Sequence, residues 1–441
     1  MTTTDLIKAL SDRLDNAQAR IGLLDAYYDG NQPLAFLAPD AREALGDRFG
    51  RMSSNIPRLA VTSLAERLRV TGFTRDGQPD PALWAAWLRN DLDQLAPVAH
   101  REALTLGRSY ALVWADPDGR PRVSIESARQ VTTITDPATR AVVAAFKRWV
   151  DPAARKGYAV LYEPDQITRY VSDANVADPA ALPATSWTAT GTIRNPFGVV
   201  PMVPIVNTDR ILDLDGASEL DDLIPLVDGL NKALADLLVT SEYFARPRRW
   251  ATGLELIETD DGQVQNPIPD AMRMMVSESP DTKFGQLDAA DLASYEAAVR
   301  VLLGQIMAVS ALPAHFIGIT SANPSSADAL RAAEASLAAR AEARQATFGR
   351  SWEAVGRLVV AASTGTDPAA VAVSCQWADP STRSVAQEAD AVVKLFSAGL
   401  LPASTALAKL GYSDDEIASI RSARRAEALD SAGVDLKAVA S

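Results

Sequence analysis

The sequence predicts an α+β chain, mainly helical, on three observations. Apolar residues recur at helical spacing at both ends of the chain; from about residue 110 they alternate instead; and one helical pattern runs unbroken from Ser326 to about Ser363. A helix of ~35 residues reaches ~50 Å, longer than a compact domain needs.

The elements follow in order. Leu6, Leu10, Leu14, Ile21 and Leu24 share the first helical face, which "YYDGNQPLAFL" breaks with Gly30 and Pro33. "NIPRLAVTSLAERLRVTGF" resumes it, with Leu59, Leu64 and Leu68 inward and Gly72 as the expected stop. A third helix is expected over "ALWAAWLRNDLDQLAPVAHREALTLG". Then "YALVWAD", "RVSIES", "QVTTITD", "AVVAAFKRWV", "GYAVLYEP" and "QITRYV" alternate between turn signals, the pattern of an antiparallel meander. In "PFGVVPMVPIVN", Pro201 and Pro204 suit an edge strand.

Helix returns at residue 219. Leu220, Leu223, Val227, Leu230, Leu234, Leu237 and Leu238 form one stripe; Glu219, Asp221, Asp222, Asp228, Asp236 and Glu242 make the rest acidic, with Lys232 alone opposing them. An irregular segment from "RPRRWATG" to "DTKFGQL" includes strand-like "MRMMVS". Over 288–309, Leu292, Tyr295, Val299, Leu302 and Ile306 form a narrow seam of coiled-coil type. "ALPAHFIGITSANPSSADAL" then links two helices through small polar residues, and Ser325 with Asp328 fits a capping box for the long helix. That helix keeps Leu330, Leu337, Ala341, Phe348, Trp352, Val355 and Val359 on one face. Three short helices are expected to complete the chain, in "SVAQEADAVVKLFSAG", "LPASTALAKLG" and "SDDEIASIRSARRAEALDSAG".

Composition narrows the function. The 441 residues carry a formal net charge of -13, so a grip on nucleic acid through overall charge is disfavoured. The single cysteine, Cys375, excludes an intrachain disulfide. The N-terminus lacks the layout of a signal peptide, and no apolar run approaches the ~18 to 20 residues that span a bilayer, so a soluble intracellular product without membrane contact is expected. His100 and His315 have no second ligand at metal spacing and read as structural; no zinc pattern, Walker loop, dinucleotide fingerprint or nucleophile elbow is present. The acid pairs Asp221-Asp222, Asp260-Asp261 and Asp414-Asp415 are adjacent in sequence and do not converge on a regular element. No enzyme, cofactor or metal is expected. Arg246, Arg248 and Arg249 beside Trp250 fit three roles: nucleic-acid contact, closure of the preceding helix dipole, or pairing with a neighbouring subunit.

The order of these parts resembles the portal (head-to-tail connector) proteins of tailed bacteriophages, in the branch carried by phages of actinobacteria. The resemblance rests on "YYDGNQPLAFL", "SSNIPRLAVTSLAERLRVTGF", "FGVVPMVPIVN", "DDLIPLVDGLNKALADLLVTSEYFARPRRWATG" and "FIGITSANPSSADALRAAEASLAARAEARQATFGRSWEAVGRL". It implies an elongated subunit with a β-rich wing over 1–218, stem helices over 219–245 and 288–311, and a clip over 246–287. It further implies a tunnel-loop region over 312–326, a long helix returning to the wing over 327–378, and a helical crown over 379–441.

The tunnel loop itself would be Ile319, Thr320, Ser321, Ala322, Asn323, Pro324, Ser325 and Ser326. A plain helix-helix connection is the alternative there. The implied assembly is a homo-oligomeric ring, usually of twelve, at one capsid vertex of the virion, formed in the host cytoplasm and passing double-stranded DNA in packaging and ejection. Its implied partners are the terminase large subunit, the head-tail adaptor, and the major capsid and scaffolding proteins. The six acids of 219–242 are then candidate channel lining, since carboxylates repel phosphates. A non-catalytic helical scaffold that never touches DNA is the competing reading.

Overall fold

Thr2 starts the first helix. In the computed structural model, α1 (Thr3–Asp29) is closed by a capping box: the Asp5 amide donates to the Thr2 hydroxyl at 3.2 Å, and the Thr2 amide donates to the Asp5 carboxylate. Gly30 ends it in the left-handed conformation. The structure describes residues 2–33, 53–116, 118–173, 175–176, 182, 186–245, 249–252, 257–258, 264–265, 274–277, 279–281, 292–318, 327–381, 385–412 and 414–439. They belong to two units, one of residues 1–317 with 336–379, the other of residues 318–335 with 380–441.

In the first unit, α1 serves two cores. Ile7, Leu10 and Leu14 pack on Phe146, Leu161 and Tyr170 of a sheet, whereas Ile21, Leu24 and Tyr27 join the main helical core. Burying each large apolar side chain contributes about 1.5–3 kcal/mol. Helix α2 (Ile56–Ala65) ends before the expected stop. Gly72 lies instead in strand β1 (Val70–Arg75), because the β-branched and aromatic run around it finds a distant partner. That partner, the last strand of this unit, sets Cys375 opposite Phe73. A short β2 (Gln78–Pro79) completes this sheet.

The expected third helix is two, α3 (Pro81–Arg89) and α4 (Leu92–Leu106). Asn90 breaks it: its buried amide donates to the carbonyls of Ala86 and Pro121 and accepts from the Val123 amide, while Asp91 turns left-handed with φ 54°. The β-rich region is two sheets. Strands β3 (Arg108–Ala115) and β4 (Pro121–Ser127) form one; β5 (Val131–Thr135), β6 (Val142–Asp151), β7 (Lys156–Tyr162), β8 (Gln166–Ser172) and β9 (Trp187–Arg194) run in sequential order in the other. Strand β9 had no counterpart in the expected series. Strand β10 (Met202–Val206) joins the first sheet at its edge beside β3, where Pro204 leaves no ladder donor unpaired.

From there the chain enters α5 (Ile224–Ala245), which begins five residues later than the sequence pattern predicts. Small strands follow: β11 (Arg249–Thr252) pairs parallel with β14 (Met274–Ser277), and β12 (Ile257–Glu258) antiparallel with β13 (Val264–Gln265). Helix α6 (Leu292–Ser310) packs antiparallel on α5, since Gly229 meets Leu302 whereas Thr240 bonds the Tyr295 hydroxyl at 3.3 Å. Helix α7 (Ala327–Thr364) buries Leu337, Ala341, Phe348, Trp352, Val355 and Val359 as expected, whereas Leu330 is exposed. It leads to β15 (Val373–Trp377), the partner of β1.

In the second unit, α8 (Val385–Ser397), α9 (Ala403–Lys409) and α10 (Asp414–Val439) follow the expected helices, with Val392, Ala406 and Ile417 buried. No helix among the described residues is long and apolar enough to cross a membrane.

Candidate functional site

The acidic segment leading into α5 is where structure and sequence pattern diverge most. Two glycines fix its approach. A Cβ on Gly216 would lie 2.1 Å from the Gly107 carbonyl oxygen, and one on Gly107 2.8 Å from that of Gly216; both residues have positive φ. Around this crossing the Asn207 amide donates to the Gly107 carbonyl at 2.8 Å, and the Glu219 amide to that of Leu104 at 2.9 Å. The chain is thereby held against the end of α4 before α5 begins.

Glu219 lies on this approach with its side chain only 8% exposed. One carboxylate oxygen accepts from Arg344 Nε at 3.0 Å and Nη2 at 2.7 Å, and from Asn207 Nδ2 at 3.1 Å. The other accepts from Arg340 Nη1 at 3.3 Å. The same arginines donate onward, Arg340 to the Val309 carbonyl at the end of α6 and Arg344 to the Thr208 carbonyl. Glu219 is therefore corrected from channel lining to a junction within the subunit, tying α7 to the base of the α5–α6 pair. A buried carboxylate needs such compensation.

The other acids divide. Asp221 accepts from Arg20 of α1 at 2.6 Å and from the Ser218 amide at 3.0 Å. Asp228 accepts from the Tyr27 hydroxyl at 2.7 Å; burial, then this bond, pushes the tyrosine pKa up, so it stays a donor. Asp236 pairs with Lys232 one turn away. Asp222 is exposed. Glu242 lies on α5, its side chain outside the described residues. The expectation that Lys232 alone opposes these acids is thus corrected: Arg20, Arg340 and Arg344 oppose them from α1 and α7. The missed signal was the pair of arginines four apart on one face of the long helix.

Of the other candidates, Arg249 opens β11, its side chain outside the described residues, as are Arg246 and Arg248 entirely. The loop of Ile319, Thr320, Ser321, Ala322, Asn323, Pro324, Ser325 and Ser326 lies wholly outside them too, and with it the expected cap. His100 is a core residue. Its Nε2 accepts from Trp352 Nε1 at 2.8 Å, its ring stacks on Phe348, and burial pulls its pKa down to about 3. Cys375 is partly buried, and burial pushes its thiol pKa up, away from reactivity. No cluster of metal-ligating side chains occurs among the described residues.

The described residues thus give a packed body of helices and sheets, an antiparallel helix pair with small strands between its two helices in the chain, and a long helix tied to the base of that pair. The portal proteins of Mycobacterium phage L5 and Mycobacterium phage D29 are each 30% identical, over 92% of this chain and 88% of their own length. Among solved structures, a chain from the virion of a native gene transfer agent particle is similar at 15% identity with a TM-score of 0.43, covering 85% of this chain and 94% of that one. A chain from the neck of that particle, computed with C12 symmetry, gives 14% and 0.42, covering 89% and 99%. The model of the phage portal protein family described as SPP1 Gp6-like matches residues 7–429, and the chain belongs to that family.

Proposed function

We propose that copies of this structural, non-catalytic chain assemble side by side into a ring, usually of twelve, at one vertex of a phage capsid. Double-stranded DNA would enter and leave through its axis. The family match along nearly the whole chain carries the reading. Residues 1–218 and the return of α7 serve as wing, α5 and α6 as stem, 246–287 as clip, 312–326 as tunnel-loop region and 379–441 as crown. The clip is the docking face for the terminase large subunit and later the head-tail adaptor, and the outer body meets the major capsid and scaffolding proteins.

The stem supports lateral packing. On α5, Leu234, Leu237 and Leu238 stay only half-buried, and Val301 of α6 is 64% exposed, so both helices keep apolar surface for a neighbour. Asp222, Asp236 and Glu242 are the acids proposed to face the axis, where carboxylates let a polyanion slide without a salt-dependent grip. Negative-stain images of the purified full chain test the assembly. Rings with a central hole are expected; uniform solid particles, as a scaffold protein gives, would overturn it.

A further inference from the structure

The loop between β10 and α5 presents a feature that the interior does not explain. Ile211 is 74% exposed and Leu212 90%, with Leu214 also exposed, on a tip flanked by Asp209 and Asp213. Solvated loops seldom hold adjacent large aliphatic residues outward without a partner. Its base is rigid. Asn207 Nδ2 donates to the Ala217 carbonyl at 2.7 Å, the Ala217 amide donates to the Asn207 carbonyl at 3.0 Å, and Asp215 is clamped by Arg13 and Arg108. The tip is itself folded by bonds from the Asp213 amide to Arg210 and from the Leu214 amide to Leu212. Ordering entropy is thus already lost in the free subunit, as in a preformed anchor.

A complementary recess lies elsewhere on the same unit. Between the α3–α4 junction and the first sheet, Leu95, Leu112, Trp114 and Ile125 line an open groove of about 400 Å³. A cavity of about 150 Å³ already takes a benzene ring. Exposed Arg89 and Arg122 stand on its rim, neither in an ion pair among the described residues, and Asp91 is the one acid among the groove's described lining residues. The loop is rooted at the Arg108 end of β3 and the groove lies at the Leu112–Trp114 end, about 16 Å along the strand at 3.3 Å per residue. The exposure of Leu212 shows that the loop does not fill its own chain's groove.

We propose that Ile211 and Leu212 of one subunit insert into the groove of a second copy, with Asp209 and Asp213 meeting Arg89 and Arg122. Knob and groove are different surfaces of one chain, so the contact is head-to-tail and propagates from copy to copy until rotation closes a ring. This inference rests on the ring reading above and assigns it an interface outside the stem.

Cysteine cross-linking in the full chain tests it, in a Cys375→Ser background. Leu212→Cys with Ser124→Cys should give a ladder of covalent multimers on oxidation, and mixing the two single variants should give dimers only. In parallel, Ile211→Asp with Leu212→Asp should raise the concentration needed for assembly about tenfold or more, as loss of a hydrophobic anchor does, while the melting temperature of the dilute, unassembled chain stays unchanged because both side chains are exposed there. A wild-type protein that forms rings while the cross-link fails and the double aspartate variant assembles normally overturns the loop contact alone. A wild-type protein that stays monomeric at every concentration overturns the ring reading and this contact together.

Discussion

Glu219 shows how one carboxylate can be read two ways. On a helical wheel it extends an acidic face; in the fold it neutralises two arginines that also hold the Val309 carbonyl at the end of α6 and the Thr208 carbonyl in the loop after β10. Removing one member of a buried, hydrogen-bonded ion group leaves the rest uncompensated, so Glu219→Ala should cost about 3 kcal/mol, read as a fall in the urea midpoint at unchanged slope. Arg344→Lys should recover little, since one ammonium cannot supply the forked contact. His100 sets a pH dependence. Its folded pKa lies near 3 against an ordinary 6.5, so between those values the unfolded chain binds a proton that the native core refuses. Its neutral form costs nothing above pH 6.5, and stability falls as pH drops through that window, by at most roughly 1.4 kcal/mol per unit. Thermal melts from pH 7 to 4 should show a shallower decline in His100→Gln, which keeps an acceptor for Trp352.

The elements that sequence reading found are those whose signal is local. The face of α7, the β5–β8 meander and the seam of α6 follow from spacing within one window, because burial on one side imposes that spacing. What it missed depends on residues far away. The break after Arg89 exists because Asn90 finds Pro121 and Val123 on β4, and β1 is a strand because Phe73 pairs with Cys375 at the other end of the unit. Glu219 was misassigned for the same reason, its arginines lying 121 and 125 residues onward. The Gly107–Gly216 crossing is equally invisible in a pattern, since it joins two backbones. Gly216→Ala places a Cβ against a carbonyl at a positive φ, and the mutant should lose about 2 kcal/mol or more, measured by chemical denaturation.

At the scale of the whole molecule, α5 and α6 stand on a base built from α1, α4, β10 and α7, and that base sets the direction in which any acidic lining faces. With Asp222, Asp236 and Glu242 as the proposed axial acids, lysine at all three positions should leave rings intact and slow DNA passage in a packaging assay, increasingly as salt is lowered. Wild-type packaging by that variant would remove the repulsive wall from the account. The most direct measurement is a cryo-electron microscopy reconstruction of the assembled full-length chain. The account predicts a closed ring with α5 bordering an open axis and Asp222 turned toward it; an assembly with no axial opening, or with α5 on the outer rim, would contradict it.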